Sequence, residues 1–180
     1  MLPRHFAVLT DDDFIFSLFV YVSPLSLCCL EQVNVDLRNS VQRYKSVVFN
    51  IGQHLFRFFS SPEDFRKLQA ETGALISGSN ALQFLLRQTF PLSDLDLYVT
   101  QDNHERVADW LTQQDGYIVA STPPQHQHYY GSNGIFSVVQ LEKTRVDGTI
   151  ACVQLIVCSS CPLNVILSFH SSRLLFYECL

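Results

Sequence analysis

Basic residues, and charged residues in general, are scarce in this sequence. Charged residues make up 16% of the chain, the formal net charge is −5, and no run of Lys and Arg exceeds two residues. A broad, non-specific nucleic-acid surface requires a basic patch, so this composition argues against such a surface and leaves open only a local groove. Hydrophobic residues make up 47%, which is enough for a packed core and excludes a largely disordered chain.

The sequence also lacks a clear export or membrane signal. Its first apolar run follows Asp11, Asp12 and Asp13 rather than Lys or Arg, which is not the pattern of a signal peptide. Positions 14–30 approach the minimum length of a membrane span, but Pro24 interrupts them. We therefore expect two short buried helices there, no membrane partner, and a cytoplasmic or nuclear protein whose cysteines are reduced thiols.

The most informative stretch of the chain is 74–99. An apolar run ends at the small residues of 77–79, and apolar residues at helical spacing follow over 80–88. Positions 94–99 then alternate between polar and apolar residues, as a strand with one buried face does. The stretch therefore predicts a strand, a tight turn, a helix and a second strand.

The turn and the second strand carry residues suited to phosphate and metal. Gly78 lets the backbone approach a ligand closely, and free N–H groups at the start of the helix favour an anion beside Ser79 and Asn80. Asp94 and Asp96 are two apart on a strand, so their side chains share one face. Adjacent carboxylates repel each other unless a cation lies between them, and oxygen ligands suit Mg²⁺ or Mn²⁺. We expect that metal to bridge to the phosphates of a bound nucleotide.

This arrangement resembles the signature of the nucleotidyltransferase superfamily, which has the polymerase-beta-like fold. The resemblance implies that the Gly78-Ser79 turn holds a nucleoside triphosphate and that Asp94 and Asp96 bind the metals for nucleotidyl transfer. The run over 65–99 also resembles uncharacterised nucleotidyltransferase-like proteins of fungi. The alternative is an ordinary strand–helix–strand segment whose acidic residues cap a turn and face solvent.

The resemblance also implies a third carboxylate on a later strand. Two-metal phosphoryl transfer normally needs it, because the attacking and leaving oxygens each require a fixed cation. The matching strand is 150–157, where the candidate position is Gln154, whose amide oxygen can coordinate a metal without bringing a charge. Asp147, in a predicted hairpin turn, and Glu142, on the preceding strand, are weaker substitutes. We therefore expect nucleotide and metal binding with weak or no transfer activity.

The N-terminal region predicts short apolar helices, the second of which opens with Ser23-Pro24 in the favoured cap-then-proline order. Its pattern partly resembles an F-box, although Thr10 stands where Pro is usual and no Trp follows Val33. The matching positions are Leu9, 16–19, 24–27 and 33–34. The resemblance implies an adaptor that binds a subunit of a cullin-type ubiquitin ligase through residues 9–34. The alternative is that these helices pack against the rest of the same protein.

The sequence as a whole predicts an α+β protein. We expect an N-terminal helical bundle over 1–60 and a nucleotidyltransferase-like domain over 61–180, built as a mixed β-sheet flanked by helices. Its central strands are predicted at 74–77, 94–99 and 150–157.

The C-terminal half has three further features of interest. His126 and His128, on a predicted loop, have a spacing that metal binding can use but that polar loops also show without it. Cys158 and Cys161 are expected to be a reduced pair rather than a redox or zinc site. Because the resembling fungal proteins continue further, we expect this chain to be truncated or mis-spliced near Ser172.

Overall fold

The computed structural model describes residues 12–90, 93–120 and 134–169, with the side chains of residues 12 and 13 left out. The chain forms two compact units that divide between Asn50 and Ile51. This division lies earlier in the chain than the boundary near residue 60 that the sequence indicates. The difference arises because Phe58 and Phe59 are core residues of the second unit. The predicted loop with His126 and His128, and the C-terminal positions from residue 170 onward, lie outside the described residues.

The first unit consists of helices in its described part. These helices are α1 (Asp12–Phe19), α2 (Pro24–Leu30) and α3 (Val35–Val48). Ser23 caps α2, since its hydroxyl accepts the N–H of Ser26 at 3.1 Å, and Asn34 caps α3 by accepting the N–H of Leu37 at 2.8 Å. The helices share a small core in which Tyr44 meets two phenylalanine rings edge-on; its buried members are Ile15, Phe19, Leu27, Val41 and Tyr44.

Within the described ranges, no helix combines the length and the apolar character that crossing a membrane requires. The two short helices predicted for positions 14–30 are present as α1 and α2, with Pro24 at the start of the second, but they are only partly buried, since Leu18 and Leu25 are exposed. A proline at the first helical position costs no backbone hydrogen bond, because the N–H at that position has no intrahelical acceptor in any case.

The second unit is an α+β domain. Its helices are α4 (Ile51–Leu55), α5 (Pro62–Thr72), α6 (Gly78–Leu86), α7 (His104–Asp109), which continues into a π-helical turn (Trp110–Gln114), and α8 (Pro162–Leu167). Its strands are β1 (Leu75–Ser77), β2 (Leu95–Thr100), β3 (Ile118–Val119), β4 (Ile135–Thr144) and β5 (Ile150–Cys158). Gly73 ends α5 in the left-handed conformation, with φ of +67°, and turns the chain into β1.

These strands form one mixed sheet in the order β1-β2-β5-β4-β3 across the described residues. The pair β2 and β5 is parallel, whereas β1 pairs with β2, β4 with β5, and β3 with β4 in antiparallel fashion. The predicted α+β class and mixed sheet are thereby confirmed. Between β1 and β2 the chain runs through α6, so the start of that helix lies at the end of β1.

The two faces of the sheet differ in how fully they are covered. On β5, Ala151, Val153, Leu155 and Val157 belong to the main core, where Phe59 and Phe65 stack at 3.9 Å between ring centroids. The alternate residues Ile156 and Cys158 belong to a second cluster with Val165 and Ile166 of α8. Cys152 and Gln154 continue that second face and are only half-buried. The side chains of Cys152 and Gln154 therefore lie on the part of this face that the α8 cluster does not cover.

A buried ion pair ties the start of the second unit to the sheet. Asp115 accepts the ammonium of Lys143 at 2.9 Å and the backbone N–H of Ser60 at 2.7 Å. Lys143 also donates to the hydroxyl of Ser60 at 2.8 Å, and the hydroxyl of Tyr117 donates to the carbonyl of Phe58 at 2.8 Å. The segment that leads into α5 is thereby fixed beside β4.

Candidate functional site

The turn between β1 and α6 lies directly against a carboxylate. Gly78 opens α6 with φ of +75°, a conformation that L side chains rarely adopt. A Cβ atom at this position would overlap the Asp96 carboxylate, coming within 3.0 Å of Cγ and into collision with Oδ2. In the sheet, Asp96 pairs with Ser77, the residue before the glycine. The structure thus brings together two of the site residues that the sequence indicates.

Gln154 and Asp94 complete this group on the same part of the sheet. In the parallel register of β2 and β5, Gln154 is the partner of Asp96. Its side-chain amide donates from Nε2 to Oδ2 of Asp94 at 2.9 Å. Cys152, two residues before Gln154, also hydrogen-bonds with the Asp94 carboxylate through its side chain. Two carboxylates, an amide and a thiol therefore lie together on one face of neighbouring strands.

The electrostatic environment of Asp96 opposes its ionisation. Burial, and secondarily the charge of Asp94, raise the pKa of Asp96 from 3.8 to about 7. The residue as a whole keeps some solvent exposure, and its carboxylate lies against Gly78. Across the described ranges, neither Asp94 nor Asp96 has a Lys, Arg or His within ion-pair distance. A cation at this position would relieve both the burial cost and the repulsion.

The donor set is small for a metal centre. Among the described residues, no group of three or more His, Cys, Asp and Glu side chains is placed to hold a metal ion. Asp94 and Asp96 supply carboxylate oxygens, and Gln154 would be the third oxygen donor. In this structure Gln154 directs its NH₂ group at Asp94, so its oxygen becomes a ligand only when the amide turns over. That rotation about the terminal bond needs no backbone movement, and a cation bound to Asp94 would favour it.

The residues at the start of α6 have different surroundings. Ser79 is exposed, whereas Asn80 is fully buried. Oδ1 of Asn80 lies 2.8 Å from Nε2 of His54, and its Nδ2 has no hydrogen-bond partner within the described part of the chain. The Asn80 side chain therefore fixes the first turn of the helix against α4, and a ligand at the turn would meet its backbone rather than its amide. Burial, chiefly, lowers the pKa of His54, which favours the neutral imidazole there.

Sequence reasoning missed Gln83, which holds the segment leading to Asp94. It is fully buried on α6, and its Nε2 donates to the hydroxyl of Ser93 in a short hydrogen bond. Its Oε1 accepts the backbone N–H of Phe90 at 2.7 Å. The sequence does show a Gln among apolar residues of a predicted helix, which indicates a buried amide. That pattern does not identify the residues to which the amide hydrogen-bonds.

The other candidates lie away from this group. Asp147 is exposed in the β4–β5 turn, where it accepts the backbone N–H of Thr149 at 2.9 Å. Glu142 is half-buried on β4 and pairs with Cys152, which places it two strands from Asp94 and Asp96. Neither residue supplies a third carboxylate beside the pair.

Cys158 and Cys161 are both free. Burial, and secondarily Cys161, raise the pKa of the Cys158 thiol to about 11, so Cys158 does not present a reactive thiolate at neutral pH.

Comparison with protein-family models, curated proteins and solved structures gives no significant match to this chain. The residues and their geometry, together with the sequence resemblance, are therefore the basis for inferring a function.

The first prediction concerns Asp96 and pH. The folded protein keeps the Asp96 proton up to about pH 7, whereas the unfolded chain releases it near its ordinary pKa of 3.8, so the wild type loses stability between these values. Asp96→Asn lacks this titration. We expect its free energy of unfolding to exceed that of the wild type by about 1–3 kcal/mol at pH 8, and by less at pH 5.

Urea unfolding in EDTA at both pH values measures the effect. Asp109→Asn is the matched control, because Asp109 is an exposed carboxylate on α7. Equal pH dependence in the wild type and Asp96→Asn would contradict the raised pKa.

Proposed function

We propose that the second unit is a nucleotidyltransferase-fold protein that binds a nucleoside triphosphate together with Mg²⁺ or Mn²⁺. The observation that supports this most is the contact of the Asp96 carboxylate with Gly78 at the start of α6. A phosphate at that helix start would meet free backbone N–H groups, and a metal on the carboxylate would lie beside the phosphate. The strand–helix–strand order, with Gln154 on the neighbouring strand β5, is consistent with what the resemblance implies.

Each residue has a distinct role in this proposal. The backbone of Gly78 and Ser79, with the exposed Ser79 hydroxyl, receives the phosphates, while the buried Asn80 side chain fixes the helix turn. Asp94 and Asp96 hold the metal, with Gln154 as a neutral third oxygen donor. When bound, a divalent ion would neutralise phosphate charge and hold the oxygens in place. Because Asp96 resists ionisation without a cation, metal binding releases its proton.

Transfer activity is proposed to be weak or absent. Two carboxylates and one amide bring two negative charges, which suffice for one divalent ion but leave a second poorly held. Gln154 occupies the strand position beside Asp96, where the resemblance implies a third carboxylate. Since Glu142 lies two strands from the pair, no described acidic side chain replaces it.

Binding of ATP tests the proposal directly. We expect isothermal titration calorimetry to show ATP binding by the wild type with Mg²⁺ and at least about tenfold weaker binding in EDTA, because charge-assisted contacts are lost. Asp96→Asn should weaken the Mg²⁺-dependent binding by a similar factor, and Asp109→Asn should leave it unchanged. Equal affinity in Mg²⁺ and EDTA, or wild-type affinity in Asp96→Asn, would refute the metal site.

The missing carboxylate gives a separate prediction. We expect assays with several nucleotides and acceptors to show transfer near background for the wild type, and a Mg²⁺-dependent increase for Gln154→Asp. Gln140→Asp is the matched control, since Gln140 pairs with Gln154 from β4 but is not adjacent to Asp96 in the sheet. Robust turnover by the wild type, abolished in Asp96→Asn, would show that the site needs no third carboxylate.

For the first unit we propose a second function, that of an F-box-type adaptor recruiting a target to a cullin ubiquitin ligase. The supporting observation is a set of exposed apolar side chains around the two connections between α1, α2 and α3. Tyr21 is 90% exposed, Leu25 76%, Val33 64% and Val35 63%. Large apolar groups left in solvent near each other in sequence are typical of a surface that binds a partner.

Co-purification of the full chain with the adaptor subunit of the ligase tests this function. We expect capture by the wild type and loss of capture in Tyr21→Ser and Leu25→Ser, since these changes remove apolar contact area without opening a core. Val47→Ser is the matched control, because Val47 is 60% exposed but lies outside residues 9–34. Failure to capture the subunit, or equal loss in the control, would refute the adaptor.

A further inference from the structure

A groove separate from the Asp94–Asp96 pair opens between two segments of the second unit. It lies between residues 56–60, which follow α4, and residues 143–147, where β4 turns toward β5, and it encloses about 490 Å³. Its lining includes three cationic side chains and one carboxylate, those of Arg57, Lys143, Arg145 and Asp147. None of the residues that form the candidate nucleotide site contributes to this lining.

The side chains that line this groove carry more positive than negative charge. Lys143 is neutralised by Asp115, but Arg57 and Arg145 have no carboxylate within ion-pair distance in the described ranges. Arg57 reaches only neutral oxygens, at 3.4 Å on the Gln83 side chain and 3.5 Å on a backbone carbonyl. Nη1 of Arg145 donates to the Thr149 hydroxyl at 3.0 Å. Asp147, which bonds to Thr149 in an exposed turn, offsets part of this charge at the rim.

The fold holds these two guanidinium groups close to the same ring. Cζ of Arg57 lies 5.6 Å from the centroid of the Phe58 ring, and Cζ of Arg145 lies 5.9 Å from it. Nε of Arg145 donates to the backbone carbonyl of Arg57 at 2.7 Å, which holds the Arg145 side chain against the backbone at residue 57. Burial, and secondarily the charge of Arg145, lower the pKa of Arg57. Two like charges are thus kept together at an electrostatic cost that an anion would offset.

We infer that this groove binds a small organic phosphate, with Arg57 and Arg145 receiving the phosphate and Phe56 contacting a flat organic part. A guanidinium group presents a planar fork of N–H donors that matches the geometry of phosphate oxygens. Phe56 lines the groove and is 68% exposed, so its ring is available to stack on a planar group. The volume is within the range of sites for small ligands. This inference does not rest on the proposed function of the Asp94–Asp96 pair.

Calorimetry of the full chain in EDTA tests the groove, with AMP as the probe and with inorganic phosphate and adenosine as its separate halves. We expect AMP to bind at least about tenfold more tightly than either half, because both the guanidinium pair and the ring contribute. Arg57→Gln should weaken AMP binding about tenfold or more, and Arg57→Lys should weaken it less. Phe56→Ala should reduce AMP binding toward the level of phosphate alone.

Two further variants distinguish binding in this groove from binding elsewhere on the second unit. Arg106→Gln removes an exposed arginine paired with Glu71 outside the groove, and it should leave AMP binding unchanged. Asp96→Asn should also leave it unchanged, whatever its effect on Mg²⁺-dependent ATP binding. The inference would be overturned if the wild type did not bind AMP, or if adenosine or phosphate bound as tightly as AMP. It would also be overturned if Arg106→Gln weakened AMP binding as much as Arg57→Gln does, or if Asp96→Asn abolished AMP binding.

Discussion

The close approach of the Asp96 carboxylate to the Gly78 backbone is the constraint on which the candidate site depends. A side chain at position 78 has neither the space nor a suitable φ, so only glycine lets α6 begin where β1 ends. In the sheet, Asp96 pairs with Ser77 of β1 on one side and with Gln154 of β5 on the other. The start of the helix and the position of the Asp96 carboxylate are therefore tied to each other by one steric arrangement.

In that arrangement, the carboxylate proposed to bind a cation lowers the stability of the folded protein when no cation is bound. Asp96 is enclosed, repelled by Asp94, and without a basic partner among the described residues, so the free protein favours its neutral form. Gln154 limits the repulsion by donating a hydrogen bond to Asp94 at 2.9 Å. A carboxylate in its place would add a third like charge to the site. The residue that weakens catalysis in the proposed function is thus also one that stabilises the protein without metal.

Local pattern was sufficient to predict much of the fold. Ser23-Pro24 at the start of α2 and the alternation after Asp94 each act within a few residues. The sequence also placed Gly78, Asp94 and Asp96 in one strand–turn–helix–strand segment, and the structure brings the Asp96 carboxylate against Gly78. The partners of His54 and Gln83 could not be predicted, since the residues that satisfy a buried polar group lie outside any periodic pattern. The division between the two units lies earlier in the chain than the sequence indicates, because Phe58 and Phe59 pack in the core of the second unit.

The hydrogen bond between His54 and Asn80 has a consequence for how the second unit can be divided. A fragment that starts at residue 61 would omit the His54 imidazole beside Oδ1 of Asn80, the core residues Phe58 and Phe59, and the Ser60 N–H that Asp115 accepts. Its buried amide and carboxylate would then need water or rearrangement to replace those partners. The compact second unit therefore begins at Ile51, and α4 contributes the buried Leu55 to its core.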